Sequence, residues 1–576
     1  MTLDLLHDCY PTMQLKTTAK RLDNLSLRIN PPAATTLSPS GVPAMWAFYF
    51  AAGVTFLVFL AGIYAPVFIV DSWSYLELSK TVFKDFYRFN TLRQFESFSP
   101  YSNTFPPLWP VLLALLSRVA DLGIYTGYVL NFLACLGLLA TLILLFRRIS
   151  YPGWVGAACY LFVLGFRPFA GDALGAKTMP LTLLLLAGAV LIFVREQITI
   201  PQVALAALLM GLACLNRFDA LAVACAIGLA LIARSYRLVP HLRRCAAIAV
   251  VYFMILGAVL APWAAYGMKH FGKPFPSDNV RQVMRARGGD VMDYFTAPPR
   301  VDLFQNPREW MVGLFVQKVP RVAYGFYESA VGSVLPAFAA VVLVVWGALG
   351  TTRLPAPAVP FVTLALLLIP VIMFPVVLVG YRDSRYYSGP VLIFFAVLLA
   401  VLISLTPAAW VRRRSALLLL VAALPLGRSV VQPLASNWSR LLSPAQAMAP
   451  LSPTQEMQQV TDAVRRDSSG QQHRLLFATG HIPSVRYGAL TGEPTTLMPR
   501  LAGGTFTAFV RDWHITHVYN PPKGPINSDP PAPDPADVIR TIETSGIDLV
   551  PLDLPGLYRI RLNGNLPAGT ERQSTK

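Results

Sequence analysis

Residues 45–80 read MWAFYFAAGVTFLVFLAGIYAPVFIVDSWSYLELSK, and the first charged side chain in this stretch is Asp71. A helix needs about 20 apolar residues to cross the roughly 30 Å hydrocarbon core of a bilayer. The stretch therefore predicts a membrane-spanning helix over residues 45–69 that ends next to a carboxylate. The carboxylate has three interpretations at this point: an N-cap of a following helix, a surface charge, or a catalytic group where the membrane meets water.

The composition extends this interpretation to most of the chain. Of its 576 residues, 55% are hydrophobic and 14% are charged, with a mean hydropathy of +0.51. A soluble globular protein has about 25% charged residues. The sequence therefore predicts a polytopic α-helical membrane protein with about 11–13 transmembrane helices. The predicted spans lie near 45–69, 124–146, 150–168, 174–194, 201–215, 218–233, 246–267, 329–349, 358–379, 386–406 and 415–433.

The net charge of +18 does not indicate nucleic-acid binding, because the basic residues between spans are clustered in short loops. Clusters of this kind mark the cytoplasmic loops of membrane proteins. If residues 1–44 form a cytoplasmic, partly disordered tail, these clusters all fall on the cytoplasmic side. They are Arg147–Arg148, the four arginines within 234–244, and Arg412–Arg414.

This orientation places loops 71–107 and 268–328 on the extracytoplasmic side, within a membrane domain that covers residues 45–433. The apolar segment 106–123 is too short for a full crossing, and we interpret it as a half-spanning or interfacial helix. Residues 434–576 are predicted to form a small extracytoplasmic α/β domain. Its β-rich runs and its one helical pattern lie at 471–490, 515–522, 546–562 and, for the helix, 536–546.

Ionisable residues collect at helix ends on the predicted outer face. They are Asp71, Asp172, the pair Arg217 and Asp219, and Arg385. Arginine at a membrane edge suits a phosphate group, because its planar donors bind several oxygens. A carboxylate beside it can accept a proton from an incoming hydroxyl or amine. The pattern therefore indicates a substrate with a phosphate at the interface and a tail in the bilayer, such as a polyprenyl-phosphate sugar.

Ordinary structural roles remain open for the same residues. Asp172 has the residue type of a helix N-cap. Arg217 has Asp219 as a possible ion-pair partner, and Arg385 has Asp383. The cysteines show no metal-ligand spacing, and no metal ligand is assigned.

The order of these motifs resembles the GT-C superfamily of membrane glycosyltransferases, specifically the bacterial relatives of protein O-mannosyltransferases and of the lipid A aminoarabinose transferase. The resemblance covers residues 45–406. It is carried by Asp71 with Tyr75, TFPPLWPVLLALLSRV from Thr104, GDALGAKTMPLTLLLLAG from Gly171, GLACLNRFDALAV from Gly211, and SRYYSGPVLIFF from Ser384.

The resemblance implies that Asp71 is the catalytic base and that Asp172 assists the acceptor or a metal. It also implies that Arg217 and Arg385 bind the donor phosphate. The supporting residues would be Tyr75, Asp219 and Tyr386.

The implied partners are a polyprenyl-phosphate-linked sugar, membrane lipids, and a glycan, lipid or protein acceptor. No nucleotide cofactor is implied, a divalent cation is left open, and the implied location is the bacterial inner membrane. One motif departs from the family. Where the aminoarabinose transferases have Glu-Lys-Pro-Pro-Leu, residues 104–108 read TFPPL, so lipid A is not carried over as the acceptor.

Two other functions stay open at this stage. A secondary transporter or lipid flippase usually has internal repeats and broken helices near the bilayer midplane. This sequence shows no clear repeat, and its ionisable residues lie at predicted span edges. A catalytically silent scaffold with the same fold is the second alternative.

Overall fold

The computed structural model describes sixteen parts of the chain. The predicted tail 1–44 lies outside these parts except for its last three residues, and the predicted span 329–349 lies outside them entirely. The described residues are 42–64, 68, 70–84, 87–93, 99–102, 105–276, 302–327, 354–380, 384–405, 408–424, 426–427, 454–469, 471–478, 481–497, 503–520 and 535–562.

The described residues before position 424 form helices and one pair of strands, joined by turns. Its first ten helices are α1 (Ala44–Tyr64), α2 (Val70–Thr81), α3 (Leu108–Ser117), α4 (Tyr125–Arg148), α5 (Gly153–Gly165), α6 (Arg167–Leu174), α7 (Met179–Phe193), α8 (Ile200–Asn216), α9 (Ala220–Leu238) and α10 (Leu242–Phe271). The following ones are α11 (Asp302–Gln305), α12 (Pro307–Gly313), a π-helix (Leu314–Lys318), α13 (Ala358–Val379), a 3-10 helix (Ser384–Tyr387), α14 (Ser388–Leu405) and α15 (Ala408–Ala423).

Five of the described helices are long and apolar enough to cross a membrane: α1, α4, α9, α10 and α13. The pair α5–α6 passes the same test as one broken span, and α3, α7, α8 and α14 are shorter apolar helices. The predicted class, a multi-pass helical membrane protein with a small C-terminal α/β region, is confirmed. Helix α3 has ten residues, about 15 Å at 1.5 Å per residue, which matches the half-spanning length predicted for 106–123.

The predicted span 150–168 is not one straight helix. Helices α5 and α6 meet at Phe166 with a bend of 80°. Phe166 has an extended backbone, and Pro168 occupies the first turn of α6. Proline fits the first turn of a helix, where its missing N–H would have no helical partner, so Pro168 favours the start of a new helix here. The bend places Asp172 on a short helix of its own.

Loop 71–107 is more structured than the sequence predicted. It begins with α2, whose residues from Ser72 to Ser79 are all buried, and continues into strands β1 (Arg88–Arg93) and β2 (Ser99–Tyr101). A helix that is buried on every face must be surrounded by protein. Helix α2 therefore belongs to the interior of the molecule.

The C-terminal part supplies the rest of a seven-stranded sheet. Its elements are α16 (Gln455–Ser468), β3 (Leu475–Phe477), α17 (His481–Thr491), β4 (Thr495–Leu497), α18 (Gly503–Asp512), β5 (His517–Tyr519), α19 (Pro535–Thr544), β6 (Ile547–Pro551) and β7 (Leu557–Leu562). Helix α19 matches the predicted helical pattern. The second half of the run 471–490, predicted as β-rich, is instead helix α17.

The strand order is β2-β1-β4-β3-β5-β7-β6. The four central strands β1, β4, β3 and β5 run parallel, and antiparallel strands close both edges. Helices α17 and α18 connect consecutive parallel strands, as parallel pairing requires. Strand β1 pairs with β4 through Thr91 opposite Thr495. The first loop and the C-terminal part therefore build one sheet together.

A buried polar network crosses this sheet at His517, whose side chain is 2% exposed. Its Nε2 lies 2.9 Å from a carboxylate oxygen of Asp467, and Asp467 also pairs with Arg559. Its Nδ1 lies 2.8 Å from the hydroxyl oxygen of Thr516. Burial, together with the nearby His473, lowers the pKa of His517 to about 4. We therefore assign a neutral ring that donates to Asp467 and accepts from Thr516.

Acid should destabilise this part of the sheet because His517 is buried in its neutral form. The pKa of His517 rises from about 4 in the folded state to about 6.5 in the unfolded state, so the unfolded state binds more protons between these values. The contribution of His517 to the free energy of unfolding is present above pH 6.5. It should decrease by about 2 kcal/mol between pH 7 and pH 5. Hydrogen exchange of the β5 amides, corrected for intrinsic rates, measures this change.

The variant His517→Gln keeps a donor and an acceptor but does not titrate. Its β5 amides should lose less protection over the same pH range than those of the wild type. An identical loss in both proteins would assign the pH effect to another group.

The core of the helical part lies where α4 and α5 approach closely. A Cβ atom added at Gly156 would stand 2.5 Å from the carbonyl oxygen of Leu142 and 2.6 Å from the amide nitrogen of Ile143. Both atoms belong to the backbone of α4, so a larger residue can be accommodated only if a helix moves.

The variant Gly156→Ala should lower the free energy of unfolding by roughly 1–3 kcal/mol, the usual effect of overpacking. Thermal unfolding of the detergent-solubilised protein measures it. Gly53→Ala in α1 is the matched control, because no heavy atom lies within 4 Å of its added Cβ. That variant should be neutral or slightly stabilised, and equal melting of the two variants would contradict the close approach.

Candidate functional site

Residues 172–178, here called the connecting segment, join α6 to α7 and have backbone carbonyls that accept bonds from other helices. The Ser72 hydroxyl on α2 donates to the Gly175 carbonyl at 2.6 Å. The Trp109 indole on α3 donates to the Ala176 carbonyl at 3.1 Å. The Ser72 bond attaches the N-terminal turn of α2, and with it the neighbouring Asp71, to the connecting segment. The Trp109 bond attaches α3 to the same segment.

Two buried asparagines hold the ends of the same segment. The side-chain amide of Asn131 on α4 donates to the carbonyls of Asp172 and Ala173, at 3.1 and 2.9 Å. The amide of Asn216 on α8 donates to the Thr178 carbonyl at 2.8 Å. Four helices thus contribute one side chain each. An unpaired buried carbonyl is costly, so these bonds fix the segment in one position.

Asp172 lies in this segment as a buried ion pair. Its side chain is 2% exposed, and its Oδ1 lies 2.8 Å from the Lys177 ammonium. Its Oδ2 is buried and accepts no hydrogen bond within the described parts of the chain. Asp172 is the sixth residue of α6, whose N-cap is Phe166. The N-cap interpretation of Asp172 is therefore wrong.

Arg217 and Asp219 form the ion pair that the sequence left open as an alternative. Nη2 of Arg217 lies 2.7 Å from Oδ2 of Asp219, and Nε lies 3.1 Å from Oδ1. The guanidinium carbon of Arg217 is 5.2 Å from the ring centre of Tyr386, and the charge of Asp172 also acts on Arg217. The structure thus brings together Asp172, Arg217, Asp219 and Tyr386.

A small groove opens beside this group. Its polar side chains are Arg217, Asp219, Tyr386 and Thr182. The rest of the lining is apolar and comes from α7, α8, α9, α13 and the start of α14. Leu183 and Leu186 also line a second small cavity, which has only apolar side chains. The groove therefore has a charged region and an extended hydrocarbon-like wall.

The other predicted residues occupy separate places. Asp71 lies in the first turn of α2 and is partly exposed. Tyr75, one turn further, is buried and packs edge-on against Phe105 at 5.0 Å within an aromatic cluster. The backbone of Arg385 belongs to the 3-10 helix that carries Tyr386, but its side chain lies outside the described residues, as does Asp383.

Sequence reasoning did not identify three basic residues near these helices. Lys177 stands within the quoted motif and could have been noticed as a partner five residues after Asp172. Lys80 and Arg486 connect α2 to α17 and are far apart in sequence. Lys80 donates to the Ala489 carbonyl at 2.5 Å, and Arg486 lies over the ring of Trp73. Only the folded structure reveals this second contact surface of α2.

No group of three histidine, cysteine, aspartate or glutamate side chains that could hold a metal occurs among the described residues. Asp172 offers one buried oxygen, but the Lys177 ammonium beside it opposes a cation. The charges around Asp172 therefore fit a divalent metal poorly.

No protein-family model matches this sequence, and no curated protein matches it. Solved structures are similar to it. The crystal structure of ArnT from Cupriavidus metallidurans bound to undecaprenyl phosphate has a TM-score of 0.49 and 13% identity, covering 89% of this chain and 97% of that chain. The apo oligosaccharyltransferase of Archaeoglobus fulgidus has a TM-score of 0.46 and 12% identity, covering 82% and 69%. The archaeal oligosaccharyltransferase AglB from Archaeoglobus fulgidus, in complex with an inhibitory peptide and a dolichol-phosphate, has a TM-score of 0.45 and 14% identity. The match covers 82% of this chain and 69% of that chain.

The ion pair between Asp172 and Lys177 predicts that these two residues stabilise the protein together. Asp172→Asn alone leaves the buried Lys177 charge without its partner and should destabilise the protein by roughly 3–5 kcal/mol. The double variant Asp172→Asn, Lys177→Gln has no buried charge and should recover most of that loss. Thermal unfolding of the two single variants and the double variant measures the coupling.

A double variant as unstable as Asp172→Asn alone would show that the pair does not act as a unit. The single variant Lys177→Gln completes the cycle.

Proposed function

We propose that this protein is an integral-membrane glycosyltransferase, which moves a sugar from a polyprenyl-phosphate donor to an extracytoplasmic glycan, lipid or protein acceptor. The groove beside Arg217 carries this proposal. A donor of this kind has a charged phosphate, a sugar and a long hydrocarbon tail. The groove offers a charged region next to an apolar wall that extends past Leu183 and Leu186, so both parts of the donor find matching surfaces.

Arg217 can bind phosphate although it is paired with Asp219. A guanidinium has five N–H donors, and Asp219 accepts from Nε and Nη2. The Nη1 donors remain directed elsewhere, while the ion pair holds the planar group in one orientation. Arg385 is proposed as a second phosphate ligand from the sequence resemblance, and the adjacent Tyr386 lines the groove.

We assign Asp71 as the general base. Its helix is attached to the connecting segment through Ser72, so its position relative to Asp172 and the groove is restrained. In the reaction, the acceptor oxygen or nitrogen would attack the anomeric carbon of the sugar and give its proton to the Asp71 carboxylate. The bond between that carbon and the phosphate oxygen would break, and polyprenyl phosphate would leave with its negative charge facing Arg217.

Asp172 is proposed to assist the acceptor. Its Oδ2 has no hydrogen-bond donor among the described residues and is free to accept one from an acceptor hydroxyl or amine. The adjacent Lys177 ammonium opposes a cation, which favours this role over that of a metal ligand.

A lipid transporter would also need an amphipathic groove, but it would not form a glycosidic bond. The test is transfer from a panel of undecaprenyl-phosphate sugars to a membrane extract, with wild-type protein and Asp71→Asn in parallel. We expect transfer by the wild type and a decrease of about 10²- to 10⁴-fold in the variant, the usual contribution of a general base.

Asp512→Asn is the matched control, because Asp512 is an exposed aspartate on α18. This variant should transfer sugar at the wild-type rate. Equal transfer by wild type and Asp71→Asn would move the base to another residue. Absence of transfer by folded wild-type protein with every donor, accompanied by lipid movement across vesicles, would favour the transporter.

A further inference from the structure

Two positive side chains that the structure describes at the groove and the connecting segment already have carboxylate partners. Lys177 is paired with Asp172, and Arg217 is paired with Asp219. A substrate that carries more than one negative group, or a phosphate that develops charge as it leaves, needs further positive charge close to the site. Arg486 of the C-terminal part is a candidate for that charge.

Arg486 lies on α17 and reaches α2. Its guanidinium carbon stands 5.5 Å from the ring centre of Trp73, whose side chain is buried. Trp73 is two residues from Asp71 on the same helix. The Lys80 bond to the Ala489 carbonyl fixes α17 against the other end of α2. The position of Arg486 near the first turn of α2 is therefore restrained at two points.

Arg486 donates no side-chain hydrogen bond to any residue that the structure describes. Arg486 is half-buried and has no ion pair with any residue that the structure describes. Its Nε is fully buried and has no hydrogen-bond acceptor there. Burial lowers the pKa of Arg486 from its ordinary value, as expected for a charge without a compensating carboxylate. Buried donors of this kind are normally satisfied by a protein group, by water or by a ligand.

The contact with Trp73 gives Arg486 no hydrogen-bond acceptor, so its N–H donors still require one. A cation over an indole ring is attracted to the face of the ring. The N–H groups of arginine lie in the guanidinium plane, and Nε with one Nη can bind two oxygens of one phosphate. The ring therefore supports the arginine without using its donors.

We propose that Arg486, which lies over the ring of Trp73, is an oxyanion-binding residue that the C-terminal part contributes at the helix that carries Asp71, and that its ligand is a phosphate-type group. This inference rests on the proposed function for the identity of the lipid probe. The phosphate has two possible sources, the lipid donor or a water-borne acceptor. In either case the C-terminal part supplies a binding residue to the site.

The test compares three purified full-length proteins in nanodiscs: wild type, Arg486→Gln and Arg486→Lys. Equilibrium binding is measured with undecaprenyl phosphate, undecaprenol and inorganic phosphate, and thermal unfolding is recorded for each protein. We expect Arg486→Gln to weaken binding of a phosphate probe by about 10- to 100-fold, the range for a lost charge-assisted pair of hydrogen bonds. Undecaprenol binding should not change.

The two sources give different results. Weaker binding of undecaprenyl phosphate places the lipid phosphate on Arg486. Weaker binding of inorganic phosphate alone, with undecaprenyl phosphate unaffected, places a water-borne anion there. Unchanged binding of both phosphate probes would overturn the proposal. Arg511→Gln is the control for loss of a surface charge, because Arg511 is exposed on α18.

Arg486→Lys keeps the charge but loses the planar pair of donors, so it should fold and bind the phosphate probe several-fold more weakly. Wild-type affinity in this variant would contradict the two-oxygen contact, even if Arg486→Gln did not fold. Binding does not require turnover, so the two proposals fail separately. If Arg486→Gln weakens phosphate binding but the wild type transfers no sugar, the oxyanion site is supported and the transferase function is contradicted. If the wild type transfers sugar but Arg486→Gln binds phosphate as tightly as the wild type, the transferase function is supported and the oxyanion site is contradicted.

Discussion

The arrangement of the site depends on the backbone carbonyls of the connecting segment. Where the chain bends back from α6 into α7, the carbonyls of Ala173, Gly175 and Ala176 accept from side chains of α4, α2 and α3, and burial makes an unpaired carbonyl costly. The carbonyls of Asp172 and Thr178 accept from the backbone amides of Lys177 and Thr182, and the side chains of Asn131 on α4 and Asn216 on α8 add a second donor to each. The same bonds that remove this cost also determine where Asp71, Asp172 and Arg217 lie relative to one another. The hydrogen bonds that satisfy the connecting segment therefore also fix the geometry of the site.

Helix α2 is the element that the two halves of the protein share. One side is attached to the connecting segment through Ser72 and to the aromatic cluster through Tyr75. The other side meets α17 through Trp73 and Lys80. The charge of the buried Glu77 on α2 also acts on Lys80 and on Arg474 of the C-terminal part. The C-terminal part is thus built onto the helix that carries Asp71.

The sequence was sufficient for some features and not for others. Apolar run lengths predicted the helical membrane class, and local periodicity predicted α19. The ion pair of Arg217 with Asp219 was foreseeable because the two residues are two positions apart in the sequence. The helical character of residues 481–490 was missed, because this short stretch has no strong period and its packing on α2 decides its structure. Arg486 could not be found, since its stacking on Trp73 exists only after two distant segments meet.

The pairing of β1 with β4 also has a consequence for how the chain matures. Thr91 and Thr495 are about 400 residues apart, so β1 has no parallel partner until nearly the whole polypeptide has been made. Contacts of such long sequence separation form slowly. Until then an unpaired strand edge stays open to wrong pairing with other chains. A truncation late in the chain would therefore impair assembly at its beginning, and a chaperone that covers β1 would favour correct completion of the protein.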